Sequence, residues 1–179
     1  MFDGQPTLDG ETILLRPTVP EDWDGLFAVA QDREIWAKHP SWDRYKPEVF
    51  RAYLDDALAS KGGLTVIHKA SGRIIGASRY VAFPEADEVE IGWTFIAREF
   101  WGGGVNREMK RLMTAHALKS FPRAVFRVGE DNIISRRAMT NIGGRLTDRV
   151  EDIERPTGPV RHVVFEIDRD GFATGPLNT

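Results

Sequence analysis

The chain has 179 residues, of which 41% are hydrophobic and 28% charged, a composition typical of one globular domain with a sizeable core. The formal net charge of -3 gives no positive field that would draw the protein to nucleic acid, so a small-molecule or peptide partner is expected. The absence of cysteine excludes disulfides, thiolate catalysis and cysteine-held metal centres.

Neither end of the sequence has the pattern of a targeting or membrane segment. Residues 1–10 lack a basic stretch followed by an apolar run, and no stretch of about 18 apolar residues occurs. A cytoplasmic location without a membrane partner is therefore expected. No repeat or Ser/Gly linker divides the chain, so we expect one domain over residues 8–172, with flexible ends at 1–7 and 173–179.

The first part of the chain predicts one strand, two helices and then a meander. Residues 11–17 are β-rich and end at a proline, and apolar residues recur at helical spacing over 21–31 and 46–60. Residues 64–69 and 73–81 are β-rich runs joined by an Ala-Ser-Gly turn, and a third strand follows. These strands are expected to pair antiparallel.

The second part predicts a strand, glycine turn, helix and strand unit. Residues 88–96 form the strand that ends the meander, an apolar stripe marks a helix from the glycine cluster to about residue 120, and 124–128 is a short strand. This order favours parallel pairing of the two strands. Asn132 is a suitable N-cap for the next helix, and two further strands over 145–150 and 161–167 complete a mixed-sheet α/β or α+β domain.

The glycine turn carries the clearest chemical signal. Three glycines let the backbone approach a ligand closely, and the helix N-terminus adds unpaired N–H donors and the positive end of its dipole, which suits a diphosphate. A tight turn without a ligand is the alternative. A Walker loop is excluded because no Gly-Lys-Ser/Thr is present, and the dinucleotide fingerprint fails because Arg107 stands at its last glycine.

Four segments in this order carry a family resemblance: residues 14–17 (LLRP), 90–96 (EIGWTFI), 101–108 (WGGGVNRE) and 132–144 (NIISRRAMTNIGG). They resemble the GNAT superfamily of N-acetyltransferases, in its RimJ/RimL-like branch, and the resemblance covers nearly the whole chain. It implies a GNAT-like fold, with a mixed, mostly antiparallel central sheet of six to seven strands flanked by about four helices. It also implies a splay between the fourth and fifth strands.

The resemblance further implies acetyl-CoA as acyl donor. In the family's pyrophosphate loop, Q/R-x-x-G-x-G/A, Trp101 takes the first position, Gly104 the invariant glycine and Asn106 the small final position, so two of three positions depart. The amide of Asn106 could cap the helix or contact a phosphate oxygen. The complete set of expected coenzyme contacts is Trp101, Gly102, Gly103, Gly104, Val105, Asn106, Asn132 and Ser135. Asn132 could also be an N-cap alone.

Amine acetylation requires a base, because an ammonium group has no lone pair for attack on a thioester. Glu88 and Glu90 lie two apart on a predicted strand, so their side chains share one face, and partial burial would raise a carboxyl pKa. Glu90 is the preferred base, while Glu88 is a second candidate or attracts a cationic substrate. A solvent-facing strand edge is the alternative for both.

The proton donor to the leaving thiolate is left open by the sequence. Many family members place a tyrosine in the last helix for this purpose, and Met139 stands at that position here. Water could donate the proton, the thiolate could leave unprotonated, or Ser135 could serve. None of the four histidines is expected to bind a metal, because no His/Asp/Glu cluster has the spacing of a metal site.

Residues 35–45 are rich in aromatic side chains, and the resemblance makes this segment a wall of the acceptor pocket. The candidates for contacting a substrate are Trp36, His39, Trp42 and Tyr45, whose rings suit a cation. Packing between the first two helices is the alternative. Asp22, Asp24, Glu85, Asp87 and Glu88 give the substrate end an acidic cast that favours a basic acceptor.

The predicted function is acetyl-CoA-dependent N-acetyltransfer to a primary amine by direct sequential transfer. The acceptor classes left open are a protein N-terminus, an amino acid, a polyamine and an aminoglycoside, and a homodimer is also left open. The alternative is a non-catalytic acyl-CoA sensor or partner-binding module on the same fold. An unrelated domain that binds ATP or NAD is a third interpretation.

Overall fold

The computed structural model describes residues 1–155 and 157–178. Within that part of the chain, eight strands form one sheet: β1 (Leu8–Asp9), β2 (Ile13–Pro17), β3 (Gly63–His68), β4 (Arg73–Phe83), β5 (Glu88–Ile96), β6 (Arg123–Gly129), β7 (Arg145–Ile153) and β8 (Val160–Asp168). The α-helices are α1 (Trp23–Ala30), α2 (Pro47–Ser60), α3 (Val105–Ala117), α4 (Ile133–Asn141) and α5 (Arg169–Thr174).

The strands lie across the sheet in the order β1-β2-β3-β4-β5-β6-β8-β7. Every neighbouring pair is antiparallel except β5 and β6, which are parallel and are connected through α3. The predicted mixed, mostly antiparallel sheet and its parallel unit are therefore confirmed. The sheet has one strand more than expected because the two-residue β1 pairs with β2, and it has one short helix more, α5.

The strands β5 and β6 pair only where they begin. Residues 88–90 are in register with residues 123–125, and beyond these positions the described residues of the two strands are not paired. This separation is the predicted splay. It lies between the fifth and sixth strands because β1 adds one to the count. Both strands run toward the same edge of the sheet, so the helices that follow them, α3 and α4, begin at that edge.

Two hydrophobic clusters cover the sheet. One contains Met109 and Met113 of α3 together with Val89 of β5. The other packs α1 and α2 against the opposite face, and its fully buried sheet residues, Ala77 and Phe95, belong to β4 and β5. Helices α1 and α2 therefore cover only part of that face, and charged side chains occupy the remainder over β6, β7 and β8.

Described residues near both ends of the chain pack against the domain, and the flexible ends expected at 1–7 and 173–179, of which residue 179 lies outside the described part, stay a prediction. The Phe2 ring contacts Tyr80 edge-on at a centroid distance of 5.3 Å and Phe121 at 5.4 Å. Near the other end Leu177 is 1% exposed and belongs to the larger cluster. Of the described helices, none combines the length and the apolar character that crossing a membrane requires.

Candidate active site

A bulge in β5 lies on the unpaired side of the splay. The register between β4 and β5 shifts between Ala77 and Arg79, and Trp93 has a φ of 52°, in the left-handed region. An extra residue in a strand bends it and leaves backbone groups outside the ladder. The bulge is held from α2, because the Tyr53 hydroxyl donates a hydrogen bond of 2.8 Å to the Trp93 carbonyl oxygen.

Glu88 and Glu90 lie on the same face of β5 and share one guanidinium. Nη1 of Arg127 donates to Oε2 of Glu90 at 2.9 Å, and Nη2 lies 3.5 Å from Oε1 of Glu88. Their residues are 1% and 7% exposed, so neither carboxylate lies at a solvent-facing strand edge. The two side chains point to the part of the sheet that α1 and α2 leave uncovered.

Glu88 is fully engaged in an ion pair. Arg149 of β7 donates two hydrogen bonds to it, from Nη1 to Oε2 at 2.7 Å and from Nη2 to Oε1 at 2.9 Å. These bonds lower the pKa of Glu88, against the opposing effect of burial. The carboxylate therefore stays ionised and paired, which makes it a weak base and leaves it little charge with which to attract a cationic substrate.

Glu90 differs from Glu88 in its electrostatic surroundings. Burial raises the pKa of Glu90, although the charge of Arg127 opposes this. Arg127 divides its charge, because its Nε also donates to Oε2 of Glu151 at 2.7 Å. A buried carboxylate with a raised pKa can accept a proton from a bound ammonium group at a smaller energetic cost than an ordinary carboxylate.

The glycine turn presents its backbone to open space. Gly102 and Gly104 have φ values of 73° and 87°, and a Cβ at either position would meet no atom within 4 Å. The first backbone bond of α3 joins the Glu108 N–H to the Gly104 carbonyl at 2.9 Å. The N–H groups of residues 102–106 have no partner among the described residues. This turn therefore fits the diphosphate of coenzyme A, which needs several convergent donors.

The two positions that depart from the family's loop pattern have separate roles. The indole Nε1 of Trp101 donates to the Ile96 carbonyl oxygen at 2.9 Å, which anchors the turn on the end of β5. The Trp101 residue is nevertheless 54% exposed. Asn106 does not cap α3, because the N-cap is Gly104 and no side chain caps it. Its amide has no hydrogen-bond partner within the described part of the chain and stays available to a ligand.

Asn132 and Ser135 form the start of α4, at the same edge of the sheet as the glycine turn. Oδ1 of Asn132 accepts a hydrogen bond of 3.2 Å from the Ser135 N–H, so the predicted N-cap is confirmed. Both residues are half-buried. The coenzyme contacts expected of them stay predictions.

The segment before α2 crosses the end of β6. A Cβ on Gly129, the last residue of β6, would lie 3.0 Å from Cγ of Pro40. The neighbouring His39 is half-buried, and burial together with nearby arginine charges lowers its pKa to about 3. His39 is therefore neutral at physiological pH. Its neighbour Pro40 contacts the end of β6, so His39 lies near the open end of the splay.

The aromatic candidates differ in their accessibility. Trp36 is fully buried and donates from Nε1 to the Ala30 carbonyl at 2.8 Å, so in the structure it packs the helices, the alternative that the sequence left open. Trp42 is 44% exposed and Tyr45 is half-buried. Their rings already carry cations of the chain itself, Lys46 at 5.4 Å and Arg33 at 5.2 Å from the ring centroids.

The buried lysine of α3 was missed at the sequence level. Lys110 of α3 is 3% exposed, and Nζ donates to Thr94 Oγ1 at 2.9 Å and lies 5.5 Å from the Phe126 ring. Thr94 and Phe126 belong to the two separating strands, so this lysine lies at the base of the splay. Burial lowers its pKa to about 7. Its position three residues before Met113, on the apolar arc of the helix, was the available signal.

Comparisons with known proteins bear on the family and the fold. A family model described as an acetyltransferase (GNAT) domain matches residues 12–145. No curated protein sequence matches the chain significantly. Among solved structures, a GCN5-related N-acetyltransferase from Brucella melitensis superposes with a TM-score of 0.78 at 20% identity, covering 93% of this chain and 80% of that chain.

Two further structures belong to ribosomal-protein and RimJ acetyltransferases. Mycobacterium smegmatis RimJ in complex with CoA-disulfide has a TM-score of 0.77 at 15% identity, covering 99% of this chain and 95% of that one. The ribosomal-protein-S5-alanine acetyltransferase of Vibrio fischeri has a TM-score of 0.67 at 15% identity, with coverages of 92% and 97%. At these identities the likeness shows a shared fold.

Proposed function

Because the chain belongs to the GNAT acetyltransferase family, we propose that it transfers an acetyl group from acetyl-CoA directly to the nitrogen of a primary amine. The observation that carries this proposal is the position of Glu90. Glu90 is the last residue of β5 that pairs with β6 before the splay, and its buried carboxylate has a raised pKa. The bulge of β5 and the unpaired amides of the glycine turn follow it along the chain.

The coenzyme is proposed to bind along the edge where α3 and α4 begin. The amides of residues 102–106 and the dipole of α3 would hold its diphosphate, and the free amide of Asn106 would add a donor. Trp101 would act through the backbone that it anchors. Asn132 and Ser135 would contact the arm of the coenzyme as it enters the splay. RimJ of M. smegmatis, which shares this fold, was solved with a CoA disulfide.

Acetyl-CoA supplies an acetyl thioester, and the residues of the chain prepare the amine. Glu90 would take one proton from the bound ammonium group, which frees the nitrogen lone pair. The new C–N bond forms at the thioester carbon as the C–S bond breaks, and the sulfur leaves with the bonding electron pair. The acetylated nitrogen then loses its second proton to solvent, which gives the neutral amide. A backbone N–H of β5 near the bulge would stabilise the charge on the carbonyl oxygen.

The proton donor for the leaving sulfur is proposed to be water or Ser135. Met139 is 7% exposed and packs in the larger hydrophobic cluster, so it fills space where many family members have a tyrosine. The hydroxyl of Ser135 makes no hydrogen bond within the described residues and could donate. A thiolate that leaves unprotonated is also compatible with this site.

The buried Met139 also favours a second candidate function, a non-catalytic acyl-CoA sensor on the same fold. Both functions require coenzyme binding, and only the first requires turnover. A thermal-shift titration with acetyl-CoA, CoA, ATP and NAD tests the shared part, because a ligand at about 100 times its Kd adds roughly 2.7 kcal/mol to stability. The melting temperature is expected to rise with the CoA ligands alone, and a rise with ATP or NAD alone would contradict both functions.

Release of the CoA thiol in the presence of an amine panel separates the two functions. We expect turnover in the wild type and in Glu48→Gln, an exposed carboxylate of α2 to which no role in the site is assigned. Glu90→Gln should lose about 100-fold or more in rate, as expected when a general base is removed. Binding of acetyl-CoA without turnover on any amine would favour the sensor instead.

A further inference from the structure

Arg44 is a buried arginine without a counter-ion. It is 8% exposed, and its guanidinium has no hydrogen bond or ion pair among the residues that the structure describes. It lies against two rings instead, 5.0 Å from the Tyr53 centroid and 5.6 Å from the Trp36 centroid. Arginine side chains are almost never buried unless they are paired, so the absence of a partner points to a ligand.

A second guanidinium with an unsatisfied donor lies in the connection between β7 and β8. Nε of Arg155 is fully buried and has no hydrogen-bond partner in the described chain. Burial is the main cause of the lowered pKa of His39, and the charges of Arg44 and Arg155 lower it further. The two arginines therefore lie around the same half-buried side chain. Nothing in the described residues neutralises them within ion-pair distance.

Arg44 and Arg155 lie near the proposed site of acyl transfer, on the side where the acceptor would bind. The charge of Glu90 raises the pKa of Arg155, against the larger lowering by burial, so the two groups are close enough to interact. Arg44 lies beside Tyr53, whose hydroxyl holds the bulge of β5. A ligand group at the arginines would thus lie near both Glu90 and the bulge.

We propose that Arg44 and Arg155 bind the carboxylate of the acceptor, and that the substrate is an amino acid whose amine is thereby presented to Glu90. This inference rests on the proposed function and narrows its substrate class. A carboxylate matches the paired donors of a guanidinium, and burial strengthens each charge-assisted hydrogen bond. An amino acid carries an amine and a carboxylate on one small molecule, so it could reach both Glu90 and the two arginines in the proposed acceptor pocket.

Of the five acidic side chains that favoured a basic acceptor, two are paired within the fold, and the other three, Asp24, Glu85 and Asp87, are exposed. Asp22 pairs with Arg16 at 2.6 Å, and Glu88 pairs with Arg149 at 2.7 Å. The unpaired charges of the pocket are positive instead. A polyamine or an aminoglycoside would have to place additional cations beside Arg44 and Arg155, which Coulomb repulsion opposes at low dielectric.

The test compares each of the common α-amino acids with its own carboxamide, together with β-alanine and γ-aminobutyrate. The carboxamide keeps the amine and the side chain and removes the anion. For at least one acid, wild-type kcat/KM should exceed that of the carboxamide by about 10- to 100-fold, the range expected of hydrogen bonds to a charged group. This ratio should fall toward one in Arg44→Met and in Arg155→Met.

Arg51→Met is the matched control. Arg51 also stacks on an aromatic ring, Trp23 at 3.6 Å, but it is exposed on α2 and outside the pocket. The ratio of kcat/KM for the amino acid to kcat/KM for its carboxamide should be the same in this variant as in the wild type. Two arginine variants keep the test informative if one of them does not fold. A ratio near one in the wild type, or an unchanged ratio in both pocket variants, would overturn the proposal.

A binding measurement separates failure of this inference from failure of the proposed function. N-acetylated amino acids, the expected products, should stabilise the wild type in a thermal-shift titration, whereas their carboxamides should not. This effect should be lost in Arg44→Met. Binding without turnover would support the carboxylate site and contradict the acetyltransferase function. Turnover of amines without a preference for a carboxylate would support the acetyltransferase function and contradict the carboxylate site. A preference for aminoalkyl phosphates over amino acids would contradict the carboxylate class.

Discussion

The hydroxyl of Tyr53 on α2 contacts the carbonyl oxygen of Trp93, the residue of β5 whose backbone enters the left-handed region. The left-handed conformation is unfavourable for a residue with a side chain, such as tryptophan, by about 1 kcal/mol or more. The contact to Tyr53 therefore helps to hold the bulge in place. It ties the helix that packs against Arg44 to the strand that carries Glu90.

Tyr53→Phe should lower both stability and activity. We expect a loss of about 1 kcal/mol in the free energy of unfolding, because one buried hydrogen bond is removed and the ring remains. A shift of the bulge should also lower kcat. Tyr80→Phe is the matched control, since the Tyr80 hydroxyl donates to the Met113 carbonyl at 2.7 Å on the other face. It should lose similar stability without a comparable loss of kcat.

Gly104→Ala should weaken the binding of coenzyme A. Alanine at a φ of 87° is strained by about 1–2 kcal/mol, and relief of that strain would reorient the amides of the turn. Gly72→Ala is the control, because Gly72 has a φ of 67° and equally open surroundings in the hairpin between β3 and β4. Both variants should melt earlier, and isothermal titration should show a raised Kd for Gly104→Ala alone.

Glu88→Gln should destabilise the fold in a pH-dependent way. The pKa of Glu88 is lowered in the folded protein, so its ion pair contributes stability above the unfolded pKa near 4.5 and loses it as pH falls through the lower folded value. We expect a loss of about 1–3 kcal/mol at pH 7, shrinking toward zero in acid. Denaturant unfolding from pH 7 to pH 3 measures this difference.

The control for Glu88→Gln is Glu99→Gln. Glu99 pairs with Arg73 at 2.6 Å, but both side chains are more than half exposed, so solvent screens the pair. Its substitution should change stability very little at any pH. An equal effect of the two substitutions would contradict the role given to burial.

Lys110→Met should make the protein more stable at pH 7 and below. The pKa of Lys110 falls to about 7 in the fold, against about 10.5 for a free lysine, because burial disfavours the charge. The destabilisation caused by this buried charge is complete below pH 7. It becomes smaller as the pH rises toward the pKa of the lysine in the unfolded chain. The free energy of unfolding of the variant should therefore exceed that of the wild type by at least about 1 kcal/mol at pH 6, and this difference should be smaller at pH 10.

Chemical denaturation at several pH values tests the Lys110 prediction. Lys119→Met, an exposed lysine just beyond α3, should show no such pH-dependent difference. A Lys110→Met protein that is less stable than the wild type at pH 6 would show that the lysine contributes to the fold through its hydrogen bond to Thr94.

The order of strands and helices was predictable because its signals are local. The alternation in β5 also predicted that Glu88 and Glu90 share a face. The partners of these carboxylates were not predictable, because Arg127 and Arg149 come from β6 and β7 and meet β5 only through the folded sheet. The packing of Phe2 depends on equally distant residues.

The acceptor segment shows the same limit more clearly. Its aromatic content indicated either packing or binding, and no local pattern could distinguish them. In the structure Trp36 is enclosed between α1 and α2, whereas the arginine eight residues later is buried without a partner. Charge in the sequence suggested a basic acceptor, but in the fold Asp22 and Glu88 are paired with arginines, whereas Arg44 has no ionic partner among the described residues.

The most direct test of the central claim is the pH dependence of acetyl transfer, followed by mass spectrometry of the acetylated amine in the wild type and in Glu90→Gln. If Glu90 is the base, wild-type kcat/KM should decrease in acid as the carboxylate is protonated, with an apparent pKa above the usual value near 4.5. Glu90→Gln should be slower and should lack this acid limb. Equal rates and equal profiles for the two proteins would contradict the assignment of Glu90, and no acetylated product from any amine would contradict the proposed function itself.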